Sequence, residues 1–90
     1  MYETIAPKLS LTPQELERES LRVFLDHRLR LVESQLWDLA QKYGVQTVDE
    51  LDERIQRGDF HEAEAFEDDF EFDHLEAERD ALQASLKELV

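Results

Sequence analysis

The chain has 90 residues, of which 23 are acidic and 10 are basic, and its formal net charge is −13. That length allows one domain, residues 1–90, and that charge disfavours binding to nucleic acid or to anionic membranes, which would repel the chain. No cysteine occurs, so a disulfide framework and a cysteine-based zinc site are excluded.

The first long helix is predicted over residues 12–43, after an N-terminal extension of residues 1–11. Only Tyr2–Ile5, within that extension, is compatible with a strand. Thr12-Pro13-Gln14-Glu15 is typical of a helix start, because threonine can cap free N–H groups and proline fits the first helical position. Gly44 is expected to end the helix as a left-handed cap. Between these limits, apolar residues recur at spacings of three and four, which predicts a coiled-coil-like seam: Leu25, Leu29, Val32, Leu36, Leu39 and Tyr43.

Two further helices are predicted after Gly44. Thr47-Val48-Asp49-Glu50 repeats the capping pattern and opens a short helix over residues 47–57. The last helix is expected over residues 61–89, and its seam reads Phe72, Leu75, Arg79, Leu82, Leu86 and Leu89.

The three helices predict an all-α fold, a long antiparallel helical hairpin with a short connecting helix. Such a hairpin has a wide apolar face and little to cover it, so we expect a homodimer that forms a four-helix bundle. Trp37, grouped with Phe24 and Leu31 to one side of the main seam, is expected in the dimer contact. The residues predicted for the core or the dimer contact are Leu25, Leu29, Val32, Leu36, Trp37, Leu39, Leu75, Leu82 and Leu86.

Residues 59–73 carry eight carboxylates and four phenylalanines without one Lys or Arg. A run of like charge normally stays solvated, whereas aromatic side chains anchor interfaces. The mixture predicts a surface that binds a basic protein. A second interpretation stays open, in which the acidity serves solubility or a salty cytoplasm. We expect Phe66 and Phe70 in the hairpin core, which leaves a predicted partner-binding set of Phe60, Glu64, Glu67, Asp68, Asp69, Glu71 and Phe72.

A metal site is the alternative function. Glu71 and His74 are three residues apart, so both can face one ion on a helix, as in ferritin-like bundles. Glu33 is expected opposite residue 71 if the hairpin pairs Tyr43 with a residue near 61. No second Glu-x-x-His is present, and an ordinary interface histidine is the simpler interpretation. We therefore predict no cofactor and no metal.

The remaining motifs for chemistry are missing from the sequence. There is no Ser-His-Asp set and no glycine-rich phosphate loop, so an enzyme is not expected. The first residues lack a basic region followed by an apolar run, and no apolar segment is long enough to span a bilayer. These features predict a cytoplasmic protein.

Three segments also carry a resemblance: Lys42-Tyr43-Gly44, Asp49-Glu50-Leu51 through Arg57-Gly58, and Glu67 through Phe72. With them, residues 20–89 resemble a group of short, acidic, helical prokaryotic proteins that are similar to antitoxins encoded beside small toxin genes. The resemblance implies no catalytic residues. It implies a basic toxin as the partner, with the acidic aromatic surface placed over the toxin's active site.

Overall fold

The computed structural model of the chain describes residues 2–89, the side chain of residue 2 excepted. It contains α1 (Tyr2–Ile5), a 3-10 helix (Ala6–Leu9), α2 (Pro13–Tyr43), α3 (Val48–Gln56) and α4 (Ala63–Glu88). Over residues 2–89 there is no strand, so the all-α prediction is confirmed for this part of the chain. Tyr2–Ile5, the one segment compatible with a strand, is helical. None of the described helices combines the length and the hydropathy that a bilayer crossing requires.

Local sequence explains where α2 begins and ends and where α3 begins. The Thr12 hydroxyl accepts a hydrogen bond from the backbone N–H of Glu15 at 3.0 Å, and the Thr47 hydroxyl accepts one from Glu50 at 3.3 Å. These bonds satisfy N–H groups that have no partner in the first helical turn. At the other end of α2, Gly44 adopts φ 65° and its N–H donates to the carbonyl of Ala40. Glycine reaches this left-handed conformation without the Cβ penalty of other residues.

Side-chain contacts between α2 and α4 run in opposite order along the two helices. Arg22 is in the N-terminal third of α2, and its guanidinium lies 3.4 Å from the carbonyl oxygen of Leu89, which directly follows α4. Near the middle, Arg28 Nε donates to Glu78 at 2.7 Å, and near the other end Lys42 Nζ lies 2.6 Å from Glu64. Helix α3 packs at this last end, where its Leu51 is fully buried.

The core is a narrow line of side chains between these helices. It consists of Val32, Leu36, Tyr43, Val45, Val48, Leu51, Ala65, Phe72, Leu75 and Leu82. Among the residues predicted for the core or dimer contact, Leu25, Leu29 and Leu39 are partly buried against this line, and Leu86 is half-buried.

Trp37 is the exception within the predicted core or dimer set, because 63% of its surface is exposed. The grouping of Trp37 with Phe24 and Leu31 is wrong. At 100° per residue, Trp37 projects about 140° around α2 from Phe24. The two aromatic side chains therefore belong to different surfaces.

The molecule is much longer than it is wide, with extents of 60 × 19 × 16 Å. Its radius of gyration is 18.7 Å, whereas a compact chain of this length has about 12 Å. The accessible surface is 6629 Å², about 1,100 Å² more than the roughly 5,500 Å² of a typical monomer of this mass. The single chain consequently exposes more surface than a compact monomer, and this surface includes Val23, Phe24, Trp37 and Phe70.

Candidate functional site: an acidic aromatic groove

The two aromatic residues predicted to anchor a partner lie in or against the core. Phe72 is 1% exposed. Phe60 is half-buried, and its ring meets the Tyr43 ring edge to face, with centroids 5.1 Å apart. Neither side chain is available as an exposed anchor, so this part of the prediction is wrong.

Phe66 and Phe70, which we expected in the hairpin core, are instead exposed, by 55% and 78%. The reason is helical geometry. Residues two apart on a helix project about 200° from each other, so burying Phe72 directs Phe70 outward. The buried residues Ala65, Phe72, Leu75 and Leu82 follow heptad spacing and fix this orientation of α4.

Two of the predicted partner-binding carboxylates are already bound within the chain. Lys42 Nζ lies 2.6 Å from Glu64 and 2.7 Å from Asp68, and the Tyr43 hydroxyl donates to Asp68. Burial alone would raise the pKa of Asp68, but the hydrogen bonds from Lys42 and Tyr43 lower it below its usual range. Burial, followed by the bond to Asp68, raises the pKa of Tyr43 to about 12. Glu64 and Asp68 therefore hold α2 against α4.

A groove of about 350 Å³ lies between α3 and α4, and we call it the acidic aromatic groove. Its lining contains no Lys or Arg and consists of Val48, Asp49, Asp52, Phe66, Asp69, Phe70 and Asp73. On α4, the four contributing residues lie within about 100° of one another because their spacing follows the helical repeat. The N-terminal half of α3 supplies the other carboxylates. Within residues 2–89, none of the four aspartates forms an ion pair.

Asp69 is the carboxylate of the acidic aromatic groove that has a buried oxygen atom without a hydrogen-bond donor. Its Oδ2 atom is buried and has no hydrogen-bond partner among the described residues. Burial, and then the charges of Asp52 and Asp73, raise the pKa of Asp69 above its usual range. A carboxylate in this position lacks both a donor and a counter-charge. A cationic donor that entered the groove would supply both.

Comparison with protein families gives a match over the whole chain. Residues 1–90 match the model of the "Uncharacterized protein MJ0235 family". The chain belongs to this family. Neither a curated protein nor a solved structure matches the chain. The description of this family names no activity and no partner.

The acidic aromatic groove contains only Asp69 of the seven residues predicted to bind a partner. Glu67 and Glu71 are exposed on α4 but do not line it. Sequence reasoning missed Asp49 and Asp52, because they lie outside the run of residues 59–73. A signal for the α4 part was present, since Phe66, Asp69, Phe70 and Asp73 follow the spacing of one helical face.

The alternative metal-binding residues are not gathered into a site. Glu33, Glu71 and His74 are all exposed. Glu33 lines a groove with Trp37 and Arg79, and neither Glu71 nor His74 belongs to that lining. In the part of the chain that the structure describes, no group of three or more His, Asp or Glu side chains is placed to hold an ion.

Proposed function

We propose that this chain is a non-enzymatic protein-interaction module that binds a basic protein through the acidic aromatic groove. One observation carries the proposal. Phe66 and Phe70 stay exposed on a surface with four carboxylates and no Lys or Arg in its lining. Exposed aromatic side chains that a partner can bury are the residues that most often dominate binding energy.

The charge of the acidic aromatic groove defines the chemistry of the partner. Four aspartates on one small surface attract a basic protein and speed its encounter. The buried oxygen of Asp69 accepts a hydrogen bond from an arginine or lysine side chain of that protein. The same cation can lie against the ring of Phe66 or Phe70, an arrangement that favours arginine because its planar guanidinium stacks on aromatic faces.

The specific role that we propose is that of an antitoxin, which covers the basic active site of a toxin in the cytoplasm. Support comes from the resemblance of residues 20–89 to antitoxin-like proteins and from the net charge of −13. The anchors differ from the sequence prediction, since Phe66 and Phe70 replace Phe60 and Phe72. The mode of inhibition is occlusion, which requires no catalytic group from this chain.

We further propose that α2 and α4 form an antiparallel hairpin and that two chains combine into a four-helix bundle. The elongated shape supports this idea, because the single chain exposes about 1,100 Å² more surface than a typical monomer of its mass. A standard interface buries about 800 Å² on each partner. A second copy would therefore cover an area of the size that the chain leaves open.

The experiment is co-expression of this chain with the product of the neighbouring gene, followed by affinity purification and a growth assay. The wild-type chain should co-purify with the neighbour and relieve any growth arrest that the neighbour causes. Combined F66A and F70A substitutions should abolish both effects. Phe24→Ala is the matched control, because Phe24 is 64% exposed but lies outside the acidic aromatic groove.

Two outcomes would contradict the proposal. The first is binding that survives the loss of both Phe66 and Phe70. The second is a wild-type chain that binds no neighbour and whose deletion leaves growth unchanged. If neutralising Asp69 and Asp73 alters only the salt tolerance of the chain, the acidity serves solubility.

A further inference from the structure

The side of α4 that faces away from the buried Phe72 carries an exposed apolar stripe. At 100° per residue, its members lie within about 60° of one another around the helix axis. We call this set the α4 stripe, and it consists of Ala63, Phe66, Phe70, Ala77, Ala81 and Ala84. All six residues are exposed. At 1.5 Å per residue, the stripe is about 32 Å long.

The positions of the alanines indicate a contact surface in addition to good helix formers. Alanine has the highest helix propensity, so alanines that serve only this purpose can occupy any exposed position of a helix. Helix α4 has five alanines, and Ala65 is buried in the core. The other four all lie in the same sector as the two exposed phenylalanines. No other residue between positions 63 and 84 projects into that sector, so it is apolar from end to end.

The spacing of the α4 stripe is that of a helix-packing seam. Four of its members, Ala63, Phe70, Ala77 and Ala84, are seven residues apart, and the other two lie between them at spacings of three and four. Apolar residues that repeat in this way form the contact face for a second helix. Alanine side chains are small, so they allow a second helix axis to approach to the short end of the usual 8–10 Å range.

Carboxylates of α4 flank the stripe on both sides. One side carries two and the other carries three, and all project within about 110° of the middle of the stripe: Glu67 and Glu71, then Asp69, Asp73 and Asp80. Within residues 2–89, Asp80 is the one member with an ion pair, which it forms with the adjacent Arg79 at 3.1 Å. Arg79 is also the one Lys or Arg between positions 63 and 86. It projects at least about 140° from every member of the stripe, so the flanks are acidic.

We propose that the α4 stripe binds an amphipathic helix of the basic partner, which lies along α4. The apolar face of that helix packs on the stripe, and its Lys and Arg side chains lie over the flanking carboxylates. This inference deepens the partner-binding proposal and rests on it, because Phe66 and Phe70 also line the acidic aromatic groove. It extends the contact beyond the groove by about 21 Å, from Phe70 to Ala84.

Other occupants fit the α4 stripe less well. Two stripes from two copies of this chain would set acidic flanks against acidic flanks, and like charges disfavour such an interface. An extended peptide gains its affinity by adding to the edge of a sheet, and residues 2–89 contain no strand. A helix that carries both apolar and basic side chains matches the spacing and the charge of this surface together.

A synthetic peptide gives the first test without the natural partner. The probe has about 21 residues, to match the length of the stripe, with Leu along one helical face, Lys and Arg beside it and Ala elsewhere. A control peptide has the same composition in scrambled order. By fluorescence anisotropy, the amphipathic peptide should bind the chain at least about tenfold more tightly than the scrambled peptide. This affinity should fall as salt is added, because the flanking carboxylates are screened.

Substitutions at Ala77 and Ala81 locate the binding surface. Both residues lie outside the acidic aromatic groove. Combined Ala77→Gln and Ala81→Gln substitutions keep the charge but place long side chains where a helix has to approach. They should weaken binding of the amphipathic peptide at least about tenfold, because close packing tolerates little extra volume.

The matched control is the same enlargement on another helix. Ser20 and Ser34 are exposed residues of α2. Combined Ser20→Gln and Ser34→Gln substitutions should change the affinity for the amphipathic peptide by less than about threefold. Far-UV circular dichroism checks that both double variants keep their helix content.

The results separate this inference from the partner-binding proposal. If the neighbour is captured equally well after the Ala77→Gln and Ala81→Gln substitutions, the groove alone binds it and the inference is wrong. Equal affinity for the two peptides would also overturn the inference, as would peptide binding that tolerates both glutamines. If no neighbour is captured but the amphipathic peptide binds with the expected sensitivity, the α4 stripe is a site for a basic helix and the neighbour is the wrong partner.

Discussion

Phe70 and Phe72 offer a matched pair of substitutions that tests the orientation of α4. Both are phenylalanines on the same helix, two residues apart, and they are 78% and 1% exposed. Truncating a buried phenylalanine to alanine removes its transfer free energy and leaves a cavity, which together cost about 3–5 kcal/mol. Removing an exposed side chain usually changes stability by no more than about 0.5 kcal/mol.

The expected difference is large compared with the stability of the whole chain. The free energy of unfolding is about 0.05–0.15 kcal/mol per residue, which gives roughly 5–13 kcal/mol for a chain of 90 residues. Phe72→Ala should therefore remove a quarter or more of this stability. At about 4–8 °C per kcal/mol for a domain of this size, its Tm should fall by at least roughly 12 °C. Phe70→Ala should unfold within a few degrees of wild type.

Urea unfolding followed by far-UV circular dichroism measures both variants directly. Because a dimer gains stability with concentration, each variant is compared with wild type at the same chain concentration and at several concentrations. Equal losses for the two variants, or a larger loss for Phe70→Ala, would refute the assignment of Phe72 to the core. The acidic aromatic groove would then lose its anchors as well.

Three further substitutions test single contacts. Asp69→Asn should stabilise the chain at pH 7 by about 0.5–1 kcal/mol, because it removes an unpaired carboxylate near Asp52 and Asp73. Since the pKa of Asp69 is raised in the folded chain, this gain in stability should fade as the pH drops towards 3.8. Urea unfolding at several pH values measures the gain. The pKa of Tyr43 is about 12 in the folded chain and about 10 in an unfolded chain, so the wild type should lose stability as the pH rises from 10 through 12. Tyr43→Phe has no phenol to ionise and should lose less stability over this range. Gly44→Ala should lower the unfolding free energy by about 1–2 kcal/mol, because alanine is strained at a φ of 65°. No clash adds to this cost, because the added Cβ would lie 3.8 Å from its nearest neighbour.

Each of these expectations has a result that would contradict it. A gain from Asp69→Asn that persists below pH 3.8 would mean that removing the ionised carboxylate is not its cause. Parallel pH profiles for wild type and Tyr43→Phe between pH 10 and 12 would show that the phenol does not titrate as inferred. A loss well above 2 kcal/mol for Gly44→Ala would indicate a steric clash that the geometry at Gly44 does not contain.

The parts of the fold that follow from the sequence are those decided by neighbouring residues. Thr12 and Thr47 cap their helices through hydrogen bonds to a residue three positions later, and Gly44 ends α2 through its own backbone conformation. Such features depend on a few consecutive side chains. The buried seam of α2 also follows from nearby residues, because a spacing of four places Val32 and Leu36 on one face of the helix.

The surface could not be predicted to the same degree, because it depends on contacts between distant residues. Lys42 binds Asp68, which is 26 positions away in the sequence, so an acidic run alone cannot show which carboxylates are free. Asp49 and Asp52 join the acidic aromatic groove only because α3 packs beside α4. Phe72 was predicted both in the apolar seam of the last helix and in the partner-binding set, and only the first of these assignments fits its burial.

The placement of the basic residues indicates that the groove is acidic because the nearby cations are bound elsewhere in the chain. Arg28 is bound to Glu78, Lys42 to Glu64 and Asp68, and the Arg54 guanidinium donates to the carbonyl oxygen of Tyr43 at 3.1 Å. These cations hold α2, α3 and α4 together. Exposed glutamates without an ion pair are spread over the described surface, but four of the five aspartates that form no ion pair within residues 2–89 lie around two exposed phenylalanines. A surface with charges of one sign suits a partner of the opposite charge, which for this groove is a basic protein.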